Sequence, residues 1–219
     1  MNRRPNILLF LMDGLQADAL ESGSACQTPH FDKLRAKGLA FRRAYTTTST
    51  CSPARASMMT GILPHNHGVL EVEHGRDYDQ CVLRPDKPHW AQCLRERGYR
   101  TAYMGKWHVE RSNSLEQFGW EVNHSKASEH HKFLGQGKDV GADLPIDPEL
   151  CRYVEGPQGY NRLLHYGVTD TPPSARYPAF TVGQANEAIT EFSKGDSPWC
   201  ACLSFSEPNE SLIVSRSTF

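Results

Sequence analysis

The residues most able to do chemistry gather in "TSTCSPARASMMTG" (48–61), where Cys51 is followed by Pro53 and Arg55. Ser52 can cap a helix, Pro53 suits its first turn and Gly61 its end, so a short helix is predicted over 53–60. Cys51 would then sit just outside a helix N-terminus, where free N–H groups and the macrodipole favour an anion. Arg55, within the first turn, adds a guanidinium that can grip two oxyanion atoms at once. That arrangement suits a nucleophile attacking a sulfate or phosphate ester. It fits equally a cysteine that packs as a small hydrophobe.

Other candidates lie elsewhere. Asp13 closes the apolar run "NILLFLM" (6–12), and Lys106 and His108 stand in "GYRTAYMGKWH" (98–108). Taken singly, Asp13 reads as a turn residue, Lys106 as a solvated loop lysine and His108 as a satisfied surface histidine. His65 and His67 in "LPHNHG" read as structural or supporting side chains, and "EHH" (129–131) as an exposed polar loop.

The elements that must position these residues follow from the apolar pattern. "NILLFLM" is continuous, as expected for a strand buried on both faces of a parallel sheet. A helix follows at about 28–37, capped by Thr28 with Phe31 and Leu34 on one face and Gly38 at its end. "LAFRRAY" (39–45) is strand-like. A Pro-led helix carries Trp90, Cys93, Leu94 and Arg97, and "YRTAYM" (99–104) is the next strand. Between 109 and 180 the pattern fades into Gly, Pro, His and charged residues, which reads as long loops on the rim of the sheet. Val182, Ala185, Ala188, Ile189 and Phe192 mark a last helix, and "WCACLSF" (199–205) a last buried strand. Strands alternating with helices predict an α/β fold with a mainly parallel sheet flanked by helices. In such folds ligands gather beyond the carboxyl ends of strands, where Asp13, Gly105–His108 and Ser206–Asn209 fall.

Composition narrows the class. Hydrophobic residues at 38% and charged residues at 22% of the 219 allow a packed core. A net charge of −1 gives no basic footprint for nucleic acid or a membrane surface. No apolar run is long enough to span a bilayer, and Asp13 and Gly14 cut "ILLFLM" short of a signal peptide, so the chain reads as cytoplasmic. Seven cysteines without framework spacing read as reduced thiols, with Cys200 and Cys202 packing on one strand face.

"STCSPARASMMTG" resembles the signature of the sulfatase family, whose core is C-x-P-x-R, at every position from Ser49 to Gly61. "GYRTAYMGKWH" resembles the family's second signature, with Met104 where smaller residues are usual. The resemblance implies an alkaline-phosphatase-like fold, with residues 1–219 as the N-terminal part of a catalytic domain and 109–180 as a loop-rich insertion. It also implies that a formylglycine-generating enzyme oxidises Cys51 to formylglycine, whose hydrate is the nucleophile. Arg55 would stabilise that hydrate, Lys106 would contact the sulfate oxygens and His108 the formylglycine hydroxyl. Asp13 and the modified Cys51 would be ligands of a divalent metal, Ca2+ first and Mn2+ or Mg2+ as alternatives. The implied substrate is a small-molecule or carbohydrate sulfate ester. One hydrate hydroxyl attacks sulfur; the other then expels sulfate and restores the aldehyde.

Three features depart from the family pattern. Asp13 is followed by Gly14 where a second acidic residue is usual, and this pair looks more like the phosphodiesterase branch of the superfamily. Asn209 stands where a sulfate-touching histidine is common; its amide still donates a hydrogen bond to substrate but carries no charge. The tail "SLIVSRSTF" shows no sign of the family's further metal ligands and lysine. The alternatives are a phosphodiester or phosphonate hydrolase on the same scaffold, and a truncated, inactive relative.

Overall fold

A computed structural model of the chain describes residues 4–21, 23–72, 80–112, 114–125, 144–155, 163–209 and 212–218. In chain order its elements begin with β1 (Ile7–Asp13), α1 (Pro29–Lys37), α2 (Cys51–Thr60), the single turn α3 (Pro64–His67) and α4 (Trp90–Glu96). They continue with β2 (Arg100–Gly105), β3 (Val122–Ser125), β4 (Ile146–Val154), β5 (Leu163–Thr169), α5 (Tyr177–Phe192), β6 (Trp199–Pro208) and β7 (Leu212–Ser215). The main sheet has the order β1-β6-β2-β3, and all its neighbours run parallel. The expected parallel α/β architecture is therefore present.

Side chains alternate across a strand, and the two central strands use that alternation to build two cores. Cys200, Cys202 and Tyr103 face one way, against Ala56 and Met59 of α2, Ala91 of α4, Trp107 and Trp120. Ala201, Leu203, Phe205, Ala102 and Met104 face the other way, against Ala185, Ala188 and Phe192 of α5. Cys200 and Cys202 pack on one face, as expected. Helix α4 starts at a reciprocal cap: the His89 ring accepts from Ala91 N, and Gln92 Oε1 accepts from His89 N at 2.9 Å.

Several expectations are corrected. Strand β1 is not buried on both faces: it lies at the edge of the main sheet, with Leu8 55% and Phe10 46% exposed. A continuous apolar run marks a strand but carries no information about which neighbours it finds. Residues 39–45 form no strand; Leu39, Phe41 and Tyr45 point to solvent because no described strand lies alongside to pair with them. Thr28 precedes α1 without a side-chain cap bond, and Leu34 is exposed. The stretch 109–180 is richer in structure than a set of loops. It holds β3, which extends the main sheet, and β4 and β5. The latter two join β7 in a second sheet of order β4-β5-β7, antiparallel between β4 and β5 and parallel between β5 and β7. "EHH" (129–131) lies outside the described residues. Among the described residues no helix is long and apolar enough to cross a membrane.

Candidate active site

Helix α2 begins one step earlier than its sequence signals: Thr50 is the N-cap and Cys51 the first helical residue, with Ser52 buried inside the first turn. The helix ends as expected at Gly61, whose left-handed backbone (φ 74°) lets its N–H bond Ser57 O. Its N-terminus points Cys51 at Asp13, at the carboxyl end of β1. The thiol donates to Asp13 Oδ1 at 3.7 Å, and Lys106 Nζ lies 4.0 Å from the sulfur. Lys106 also forms an ion pair with Asp13.

Arg55, only 5% exposed, ties this corner together. Its Nη1 donates to Ser204 Oγ at 2.8 Å, to Lys106 O at 3.0 Å and to Trp107 O at 3.4 Å, while Nη2 lies 3.4 Å from Asp13 Oδ2. The guanidinium thus binds the backbone that presents Lys106, the central strand and the carboxylate, so its visible role is positioning. Tyr103 donates a further bond to Lys106 O at 2.6 Å. Neither Ser204 nor Tyr103 stands out in the sequence. The signal that finds them is Arg55 itself, a buried guanidinium that requires acceptors.

Gly105 is required by close packing. Its φ is +89°, and a Cβ there would lie 2.0 Å from Ser204 O, the carbonyl that accepts from Lys106 N at 2.7 Å. Three residues on, His108 is half-buried and holds a positive φ of 48°, a conformation costing a non-glycine residue of order 1 kcal/mol. Asn209 reaches the same corner: a Cβ on Gly14 would lie 3.4 Å from Asn209 Cα and 3.5 Å from its Oδ1. The fold therefore brings Asp13, Cys51, Arg55 and Lys106 together, and puts Asn209 beside Gly14. His67 is buried as a brace for α2: its Nδ1 accepts from Val69 N at 3.1 Å, so Nε2–H donates to Ser57 Oγ at 2.9 Å. His65 is exposed.

Electrostatics separate the roles. Burial alone would raise the Asp13 carboxyl, but the Lys106 hydrogen bond and the charges of Arg55 and Lys106 outweigh it and hold it below the usual carboxylate range. Burial pushes the Cys51 thiol up, with Asp13 adding to the shift and Lys106 and Arg55 opposing it. At neutral pH the sulfur is thus a protonated thiol and a weak nucleophile. Two cations and one carboxylate leave one net positive charge, which matches a monoanion such as a sulfate monoester or a phosphodiester.

A calcium ion takes six to eight oxygens. Among the described residues no group of three or more His, Cys, Asp or Glu side chains converges on one point. The Asp13 carboxylate is already ion-paired with Lys106 and Arg55. The described residues do not make a calcium site by themselves.

Known proteins resemble this chain along nearly its whole length. A Bacteroides fragilis protein described as a "putative sulfatase" superposes with a TM-score of 0.65 over 96% of this chain and 45% of its own, at 19% identity. A sulfatase of Pseudoalteromonas sp. gives 0.63 over 95% and 45%, at 22% identity. These likenesses establish the fold as that of sulfatases. In sequence the chain is 27% identical to an ulvan-active sulfatase of Formosa agariphila, over 94% of this chain and 36% of the relative. It is 38% identical to human N-sulphoglucosamine sulphohydrolase, over 72% and 34%. It therefore spans little more than a third of these relatives' lengths. The sequence model of the family described as Sulfatase matches residues 5–140, well over half of the chain, and by that match the chain belongs to the sulfatase family.

Proposed function

We propose that the protein hydrolyses sulfate esters, with carbohydrate sulfates as the main substrate class, through a formylglycine made from Cys51 by a formylglycine-generating enzyme. The observation that carries this reading is the position of Cys51. It is the first residue of α2, within 4.0 Å of Lys106 and bonded to Asp13, yet its thiol pKa is raised and not lowered. A site built for anion chemistry around a poorly ionised thiol favours an oxygen nucleophile made from that residue. The relatives named for ulvan and N-sulphoglucosamine act on carbohydrate sulfates, which supports the substrate class.

When formed, the formylglycine would supply a hydrate, one hydroxyl to attack sulfur and a second through which sulfate leaves. The chain's own residues do the rest. The α2 N-terminus and Lys106 hold the sulfuryl oxygens and absorb the charge that builds on them. Arg55 fixes the Lys106–Trp107 backbone and the Asp13 carboxylate, so that Lys106 is aimed before substrate arrives. Asp13, kept ionised at neutral pH, is placed to accept a proton at the Cys51 position through the contact the thiol now makes. His108 is assigned to the formylglycine hydroxyl and Asn209 to a hydrogen bond with substrate. Asp13 is also proposed as one oxygen ligand of a divalent ion, calcium first. The described residues do not complete that shell.

The test is mass spectrometry of the peptide containing Cys51 after co-expression with a formylglycine-generating enzyme, followed by turnover of an aryl sulfate and an aryl phosphodiester. Conversion of Cys51 and preference for the sulfate are expected. A preference for the diester would move the protein to phosphodiester chemistry, and an intact thiol would mark an inactive relative.

A further inference from the structure

Directly paired residues on neighbouring strands share one face of a sheet. Arg152 of β4 pairs with Tyr166 of β5, and Tyr166 pairs with Leu212 of β7, so the three form a row across the second sheet. Arg152 is exposed, and Tyr166 and Leu212 are 45% and 46% exposed. Val168, two residues along β5 on the same face, is only 3% exposed. Val214, which pairs with Val168, is 40% exposed, so the face is open along β7 and at the row.

The row is also tied to the candidate active site. Asn209 lies against Gly14, and β7 starts three residues later at Leu212. Three residues of chain span at most about 11 Å, and neighbouring strands lie about 4.8 Å apart. The row therefore starts within a short oligosaccharide's length of Asp13 and continues in the order Leu212, Tyr166, Arg152.

An exposed phenol ring on a flat sheet offers an apolar surface to the C–H face of a sugar ring, with a hydroxyl left for its polar edge. An exposed guanidinium one strand further binds sulfate or carboxylate through two parallel hydrogen bonds. The geometry points to this row as a substrate subsite. On the reading of the protein as a sulfate ester hydrolase, its substrate is a polyanionic oligosaccharide. Tyr166 packs on a sugar ring away from the scissile ester, and Arg152 holds a second anionic substituent. A small sulfate ester would leave the row unused.

Calorimetric titration of the full chain with three probes tests this: inorganic sulfate, a heparin-derived sulfated tetrasaccharide and its desulfated counterpart. The sulfated tetrasaccharide is expected to bind at least about tenfold tighter than either other probe. Tyr166→Ala and Arg152→Gln should each weaken it about tenfold and keep the circular dichroism of the parent, and Tyr166→Ala should leave inorganic sulfate binding unchanged. Tyr166→Phe, which keeps the ring, should retain most of the affinity. Equal binding of the tetrasaccharide by parent, Tyr166→Ala and Arg152→Gln would overturn the subsite, as would a tetrasaccharide no tighter than sulfate. Failure of the underlying reading shows separately, as inorganic sulfate binding that survives Lys106→Met.

Discussion

Replacing Arg55 by methionine tests the claim that the guanidinium is the tie of the site. The side chain keeps much of its length but loses its donations to Ser204 Oγ, Lys106 O and Trp107 O and its pairing with Asp13. Hydrogen bonds to a charged group contribute about 1.5–3 kcal/mol each, and the two longer contacts at 3.4 Å count for little. The two short ones, to Ser204 Oγ and Lys106 O, give an expected loss of about 3–5 kcal/mol. With a urea m-value of about 2 kcal/mol/M, the unfolding midpoint should fall by about 1.5–2.5 M. The m-value should not change, because the surface exposed on unfolding is the same. Arg55→Lys should recover little, since a single ammonium cannot reach acceptors on β6 and on the 106–107 backbone together. A midpoint drop below about 0.3 M for Arg55→Met would refute the argument, because the bonds drawn around this residue would then carry almost no free energy.

Gly105→Ala should destabilise the protein by more than about 3 kcal/mol in the same titration, since a Cβ would lie 2.0 Å from a backbone carbonyl of the central strand. Burial holds His89 neutral down to about pH 3, against an ordinary value of 6.5. The unfolded chain therefore takes up a proton that the native state refuses, and stability contributed by His89 is complete above 6.5 and lost as pH falls, by up to about 1.4 kcal/mol per unit. His89→Gln should flatten the stability profile between pH 6.5 and about 3. The Cys51 thiol should react slowly with iodoacetamide at pH 7 and faster as pH rises past 9, tracked by mass spectrometry; rapid reaction at pH 7 would contradict its raised pKa.

The chemistry of the site was more legible in the sequence than the fold around it. Cys51, Pro53 and Arg55 are close enough in sequence for helix geometry alone to place them, and Lys106 follows directly from a strand end. What the sequence could not show was partnership at long range. Arg55 bonds Ser204 across 149 positions, and no local pattern marks that serine as its acceptor. The same holds for β1, whose apolar run is equally consistent with a central or an edge strand. The stretch 146–169 hid two strands because their exposed faces carry the mixed polar residues that also make loops. "LAFRRAY" shows the converse: residues that favour a strand form none when no neighbour offers a ladder of hydrogen bonds.

The pairing of β1 with β6 has a consequence in time. Asn6 and Trp199, bonded at the start of that pair, are 193 positions apart. At synthesis rates of about 5–20 residues per second, β1 waits roughly 10–40 s for its only described neighbour to be made. β6 is also the strand that β2 pairs with and the one that receives Arg55, so sheet and site close together. Until then the apolar segment "NILLFLM" lacks its described strand partner. β1 is made long before the strand that places it.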